Sequence, residues 1–85
     1  MDQEDFVTRY LYGPWRRARG SRAIYQNIDG YNAAVMTDEH DPDVWASVLT
    51  RSGGKAGEWS REKYRTEEDA KRGVLKALAA KRGYA

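Results

Sequence analysis

The chain has 85 residues, no cysteine, 40% hydrophobic and 33% charged side chains, and a formal net charge of +2. That length leaves room for one core, so a single domain over residues 1–85 is expected, and three Trp, six Tyr and one Phe supply too many apolar anchors for a disordered chain. The missing thiols exclude disulfides, thiolate zinc sites and thiol nucleophiles; with an acidic opening segment and no apolar run behind it, they predict a cytoplasmic protein without signal peptide or membrane span.

Residues 2–12 set Phe6, Val7, Tyr10 and Leu11 at helical spacing behind acidic side chains that suit the positive end of a helix dipole, which predicts a short N-terminal helix. Gly13-Pro14 ends it, because proline lacks the backbone donor and drives the preceding residue out of helical geometry. A loop follows with Trp15 and four arginines, Arg16, Arg17, Arg19 and Arg22. From Ala23 to Thr37 the pattern turns to period two around Asp29-Gly30, a dipeptide suited to the positive-φ positions of a type I′ hairpin. Such a turn sets Ile28 opposite Tyr31, Gln26 opposite Ala33 and Ile24 opposite Val35. The core side is then Ile24, Ile28, Tyr31, Ala33 and Val35, and the other side, Tyr25, Asn27, Asn32, Ala34 and Met36, is expected beneath the N-terminal helix.

The acidic connection 38–43 contains Pro42 and separates strands two and three. In strand three, Val44 to Arg51, the set Val44, Ala46 and Val48 is expected to face the helix, with Trp45, Ser47, Leu49 and Arg51 turned away. Ser52-Gly53-Gly54-Lys55 makes the next hairpin. Strand four, Glu58 to Arg65, is expected to carry Trp59, Arg61, Lys63 and Arg65 along one side. Thr66-Glu67-Glu68-Asp69 is a helix cap, with a hydroxyl for an orphan amide and three carboxylates at the positive dipole end. In the helix beyond, Ala70, Gly73, Val74, Ala77 and Leu78 share one arc, with Leu75 at its edge and Arg72, Lys76 and Ala79 pointing away. Gly73 costs about 1 kcal/mol against alanine inside a helix, which implies a close approach of the sheet. Gly83 ends the helix. The predicted fold is α+β: a short N-terminal helix, a four-stranded antiparallel sheet and a C-terminal helix packed on one face.

No chemistry-bearing motif is complete. His40 stands among Asp38, Glu39, Asp41 and Asp43, but the spacing lacks a calcium loop's pattern and no second imidazole exists for zinc, so no metal and no cofactor are expected. Ser52-Gly53-Gly54-Lys55 lacks the first glycine and the hydroxyl residue of a phosphate loop. No serine sits in a nucleophile elbow, so no enzyme is expected. What remains is a binding surface. Trp15, Arg16, Arg17, Arg19, Arg22, Trp59, Arg61, Lys63 and Arg65 combine cations with indoles, as phosphate pairing and stacking require. Asp38, Glu39, Asp41 and Asp43 form an acidic patch for a basic surface, and the two clusters predict a bipolar molecule. An outer strand such as 22–28 leaves homodimerisation open.

From Trp45-x-Ser-x-Leu through the glycine hairpin, Trp59, Tyr64 and Thr66-Glu-Glu-Asp-Ala70, residues 44–80 resemble the three-strand-plus-helix domains of ethylene-response-factor and integrase-type DNA-binding proteins. The resemblance implies a sheet lying in the major groove with the helix behind it. The element order is also similar to the double-stranded-RNA-binding fold, but Glu67, Glu68 and Asp69 occupy the place of its phosphate-holding lysines. In size and style the chain resembles the small inhibitors, anti-CRISPR proteins among them, that phages and mobile elements direct at host nucleoprotein machines. The functional expectation is therefore a non-catalytic inhibitor of a nucleic-acid-handling complex, with a protein or nucleoprotein partner; direct DNA or RNA binding through the sheet is the alternative.

Overall fold

The computed structural model describes all 85 residues. It is an α+β fold in the order α1 (Gln3–Tyr10), β1 (Arg16–Arg17), β2 (Ile24–Ile28), β3 (Tyr31–Thr37), β4 (Trp45–Arg51), β5 (Glu58–Trp59) and α2 (Glu67–Lys81). The sheet is an antiparallel meander with its five strands in sequence order, so every connection is a hairpin or short loop. It has one strand more than expected, because the arginine segment is not wholly a loop: Arg16 and Arg17 pair with Tyr25 and Ile24 as an edge strand.

Local chemistry explains the elements. Asp2 caps α1 by accepting the Asp5 amide at 2.8 Å, and Thr66 caps α2 by accepting the Asp69 amide at 3.1 Å. Asp29 and Gly30 both take positive φ, 50° and 83°, and the β2–β3 register matches the type I′ expectation at Ile24–Val35, Gln26–Ala33 and Ile28–Tyr31. At the far end of α2, Gly83 has φ +85° and the Tyr84 amide reaches back to the Ala79 carbonyl at 3.0 Å, a Schellman closure. Tyr84 then lays its ring 5.5 Å from that of Phe6.

Both helices lie on the same side of the sheet. One core cluster joins Phe6, Val7 and Leu11 of the N-terminal segment, Ile24, Ile28, Ala33, Val35 and Leu49 of the sheet, and Ala70, Val74, Leu75, Leu78 and Ala79 of α2. The buried side chain of Gln26 shows where α1 sits: its amide donates to the Tyr10 carbonyl at 3.1 Å from the core side of β2. Three expectations are corrected here. The side bearing Tyr25, Asn27, Asn32, Ala34 and Met36 is not under α1. Strand β4 is turned the other way, since Ala33 pairs with Leu49 and Val35 with Ser47, which puts Trp45, Ser47 and Leu49 toward the helices and Ala46 and Val48 on the open side. Its two sides are similarly apolar, so alternation alone does not orient it; the neighbouring strand does. The buried arc of α2 is also displaced, with Ala79 fully buried and Ala77 exposed, because α1 packs beside α2 as a second partner and draws the arc toward Leu75 and Ala79.

Strand β5 stops at Trp59 instead of running to Arg65. Its pairs Val48–Trp59 and Leu49–Glu58, continued in register, would set Trp45 opposite Glu62, yet Trp45 bridges Tyr64. Two extra residues therefore loop out, and Tyr64 lands on the helix side against Gly73. The close approach inferred at Gly73 is to this ring: a Cβ there would lie 2.2 Å from the Tyr64 hydroxyl oxygen. No helix is long and apolar enough to cross a membrane.

Candidate functional site

With both helices on one side, the other side of the sheet is uncovered, and antiparallel register determines what it displays. One row crosses all five strands as Arg16, Tyr25, Ala34, Val48 and Trp59. Beside it run Asn27, Asn32 and Thr50 on one flank and Met36 with Ala46 on the other. Ala34 and Val48 are only 7% and 9% exposed although they lie outside the core cluster; the larger side chains around them on this face and the backbone of Gly57 shield them. Trp59, at 56%, is among the most exposed large apolar side chains of the molecule. The face is an apolar strip between two aromatics, with Arg16 its one charged side chain among the paired positions.

The predicted contact residues do not form one surface. Trp15 is half-buried and packs on the core; its indole Nε1 donates to the Leu11 carbonyl at 2.7 Å, and the Lys71 ammonium lies 5.0 Å from its ring. It is an internal anchor of the Gly13-Pro14 corner. Arg16 and Arg17 take opposite sides of β1, Arg16 on the open face and Arg17 beside Ile24. Arg19 and Arg22 are exposed in the β1–β2 hairpin, which is closed by Ala18 donating to the Ala23 carbonyl at 3.0 Å. Of Trp59, Arg61, Lys63 and Arg65 only Trp59 lies in a strand; Arg61 falls in the looped-out segment, and Lys63 and Arg65 flank the single bridge of Tyr64 to Trp45.

The acidic loop is at the same end of the sheet as the arginine hairpin, since the β1–β2 and β3–β4 connections of a meander emerge together. The molecule is thus not bipolar: along this end, arginines, carboxylates and then Lys63 follow one another. Asp38 accepts the His40 amide at 2.8 Å and Asp41 accepts the Asp43 amide at 3.0 Å. The His40 amide holds the Asp38 carboxyl below its ordinary pKa, with the field of Lys63 adding to it. Asp38 and Asp41 therefore shape the loop, while Glu39 and Asp43 are free of side-chain bonds and exposed. No three carboxylate or imidazole groups converge as a metal site needs.

A third feature, which no local sequence pattern marks, lies where the looped-out segment meets α2. Lys63 and Arg65 from the segment and Arg72 and Lys76 from the outer face of α2 line one cleft, with Glu62 and Asp69. Tyr64 stands between them, its hydroxyl pushed above the usual tyrosine value by burial and, secondarily, by the Glu62 carboxylate. Arg72 and Lys76 were readable as an i, i+4 pair on the solvent side; what they face was not.

Comparison with protein-family models, with curated proteins and with solved structures yields no match to this chain.

Proposed function

We propose that the chain is a non-catalytic binding protein that occludes a surface of a nucleic-acid-handling complex, an inhibitor of the kind phages and mobile elements use inside the host cytoplasm. The observation that carries this reading is the uncovered sheet face. A row of Tyr25, Ala34, Val48 and Trp59 supplies the rigid aromatic anchors around which protein interfaces are built, and a nearly uncharged centre with a charged rim is the usual interface anatomy. The strands together cover roughly 400 Å² at ordinary strand spacing and rise, about half of one partner's share in a standard interface. The rim must therefore join in, and Arg19, Arg22, Glu39 and Asp43 stand at one end of that face. None of these charges is used in the ion pairs of the molecule, which engage Lys71, Arg72, Lys81 and Arg82. The same shortfall in area weighs against a stable homodimer through this face alone.

The test is cellular and direct. Expression of the chain in bacteria whose nucleic-acid-targeting defence system clears an incoming plasmid should raise transformation, and the pair Tyr25→Ala and Trp59→Ala should return it to background while circular dichroism stays unchanged. Rescue by the double variant equal to that of the parent would sink the role of the sheet face.

A second reading, DNA binding through the sheet as in ethylene-response-factor and integrase-type domains, is favoured by Arg16, Asn27, Asn32 and Thr50, which bear groups able to read base edges. A single cation on the face speaks against it. It requires duplex affinity that falls steeply with salt and is lost in Asn32→Ala.

A further inference from the structure

We propose that the cleft between residues 62–65 and α2 is a docking groove for the phosphodiester backbone of a nucleic-acid strand. This deepens the reading above, because a nucleic-acid-handling complex offers such a strand next to its protein surface.

The cleft has a volume of about 630 Å³ and is lined by Lys63, Arg65, Arg72 and Lys76 against Glu62 and Asp69, a surplus of two positive charges. The cations come from two walls. Lys63 and Arg65 flank Tyr64, which is fixed by reciprocal backbone bonds with Trp45 at 2.7 and 2.9 Å, so their backbone positions are set by the sheet. Arg72 and Lys76 are one helical turn apart, about 6 Å along the axis, on the rigid middle of α2. Lys63, Arg65 and Lys76 have no salt-bridge partner, and Arg72 has only a loose contact with Glu68 at 3.7 Å. Crowding like charges without partners opposes folding, and a ligand carrying regularly spaced anions relieves it. A phosphodiester chain does so along the whole groove: its charges are of one sign and evenly repeated, and guanidinium groups present forked donors to phosphate oxygens. The aromatic of the site is turned inward, since the Tyr64 ring lies over Gly73, so bases are not stacked here and no sequence preference is expected.

The groove meets the open face at β5. Trp59 ends the strand on that face, and the chain passes within a few residues to Lys63 and Arg65, so one nucleoprotein partner wrapped around this edge touches both.

The experiment is fluorescence anisotropy of labelled single-stranded DNA and RNA oligonucleotides with the intact protein over a salt series. Three or four engaged cations predict a slope of log K against log salt near −2 to −3, with DNA and RNA of mixed and homopolymeric sequence alike. The double variant Arg72→Gln and Lys76→Gln, on an exposed helix face where folding is checked by the melting curve, should flatten the slope by about 1.4, while Arg19→Gln with Arg22→Gln should leave it unchanged. Absence of salt-dependent binding, equal losses in the two double variants, or tighter binding of a polyglutamate peptide than of an oligonucleotide of the same charge would each overturn the proposal. Failure here leaves the inhibitor reading intact, because that reading is judged by plasmid rescue and by Trp59; conversely, Tyr25→Ala with Trp59→Ala should abolish rescue without altering the oligonucleotide slope.

Discussion

Gly73→Ala separates two effects that oppose each other. In a mid-helix position alanine is better than glycine by about 1 kcal/mol, so propensity alone predicts stabilisation. At this position the new Cβ would lie 2.2 Å from the Tyr64 hydroxyl oxygen and 2.5 Å from Cζ, where carbon contacts need about 3.5 to 4 Å. The ring must move by more than about 1 Å, but its backbone is held by both bonds to Trp45, and relief comes only by swinging a half-buried tyrosine outward. Overpacking of this sort costs about 1 to 3 kcal/mol. The expected balance is a loss of about 1 kcal/mol, which lowers Tm by about 4 to 8 °C in a domain of this size. In a Tyr64→Ala background the obstacle is gone, and Gly73→Ala should stabilise by about 1 kcal/mol. The sign reversal, a coupling of about 2 kcal/mol in a double-mutant cycle read from chemical denaturation, is the signature. If Gly73→Ala has the same sign and size in both backgrounds, the glycine is not there to admit the ring.

Two further outcomes follow from the packing. The pKa of Tyr64 is raised by burial, so the folded protein keeps that proton where the unfolded chain has lost it; stability should fall as pH rises above about 10, the ordinary tyrosine value. Lys81, held charged mainly by its hydrogen bond to Glu58, acts in the same direction: its contribution is full below the ordinary value of 10.5 and is lost above it. Melting curves from pH 8 to 11 should show the decline, and Tyr64→Phe should make it shallower and remove from the ultraviolet phenolate titration a component that lies above the ordinary tyrosine value; an unchanged titration would refute the assignment. Trp15→Phe keeps the packing but gives up the bond to the Leu11 carbonyl, for a loss of about 1 kcal/mol, with plasmid rescue and oligonucleotide binding unaltered once the fold is populated. A loss of binding without a loss of stability would return Trp15 to the contact surface.

Much of the architecture was legible because it rests on local chemistry. Asp29-Gly30 sets its own turn and hence the β2–β3 register, Thr66 and Gly83 mark the ends of α2, and Gly13-Pro14 ends α1. What was not legible depends on partners remote in sequence. The orientation of β4 could not be read from Val44, Ala46 and Val48 against Trp45, Ser47 and Leu49, since both sets are about equally apolar; the pair Ala33–Leu49 decides it. The inward turn of Trp15 needs the Leu11 carbonyl and Lys71, 56 residues further along the chain. The same holds for the surfaces. Single residues such as Trp59, Lys63 and Arg65 were recognised from composition, but the open face needed the register of five strands, and the cleft needed α2 beside a segment that strand periodicity had drawn straight.

That segment is where fold and surface meet. Had β5 continued in register, Arg61, Lys63 and Arg65 would stand on the open face beside Trp59, and the chain would present one strongly basic sheet surface. The two residues looped out before Tyr64 change this in a single step. They move Tyr64 along the helix side from a place opposite Asp43 to one opposite Trp45, over Gly73, which leaves room for it, and Lys63 and Arg65 on either side of it line a cleft with Arg72 and Lys76. The open face is left nearly neutral and the cations gather in a groove of their own. A neutral aromatic face and a basic groove joined at one edge suit a partner made of protein and nucleic acid together better than either alone, because apolar contact needs desolvation that dense charge would oppose, whereas phosphate contact needs the charge.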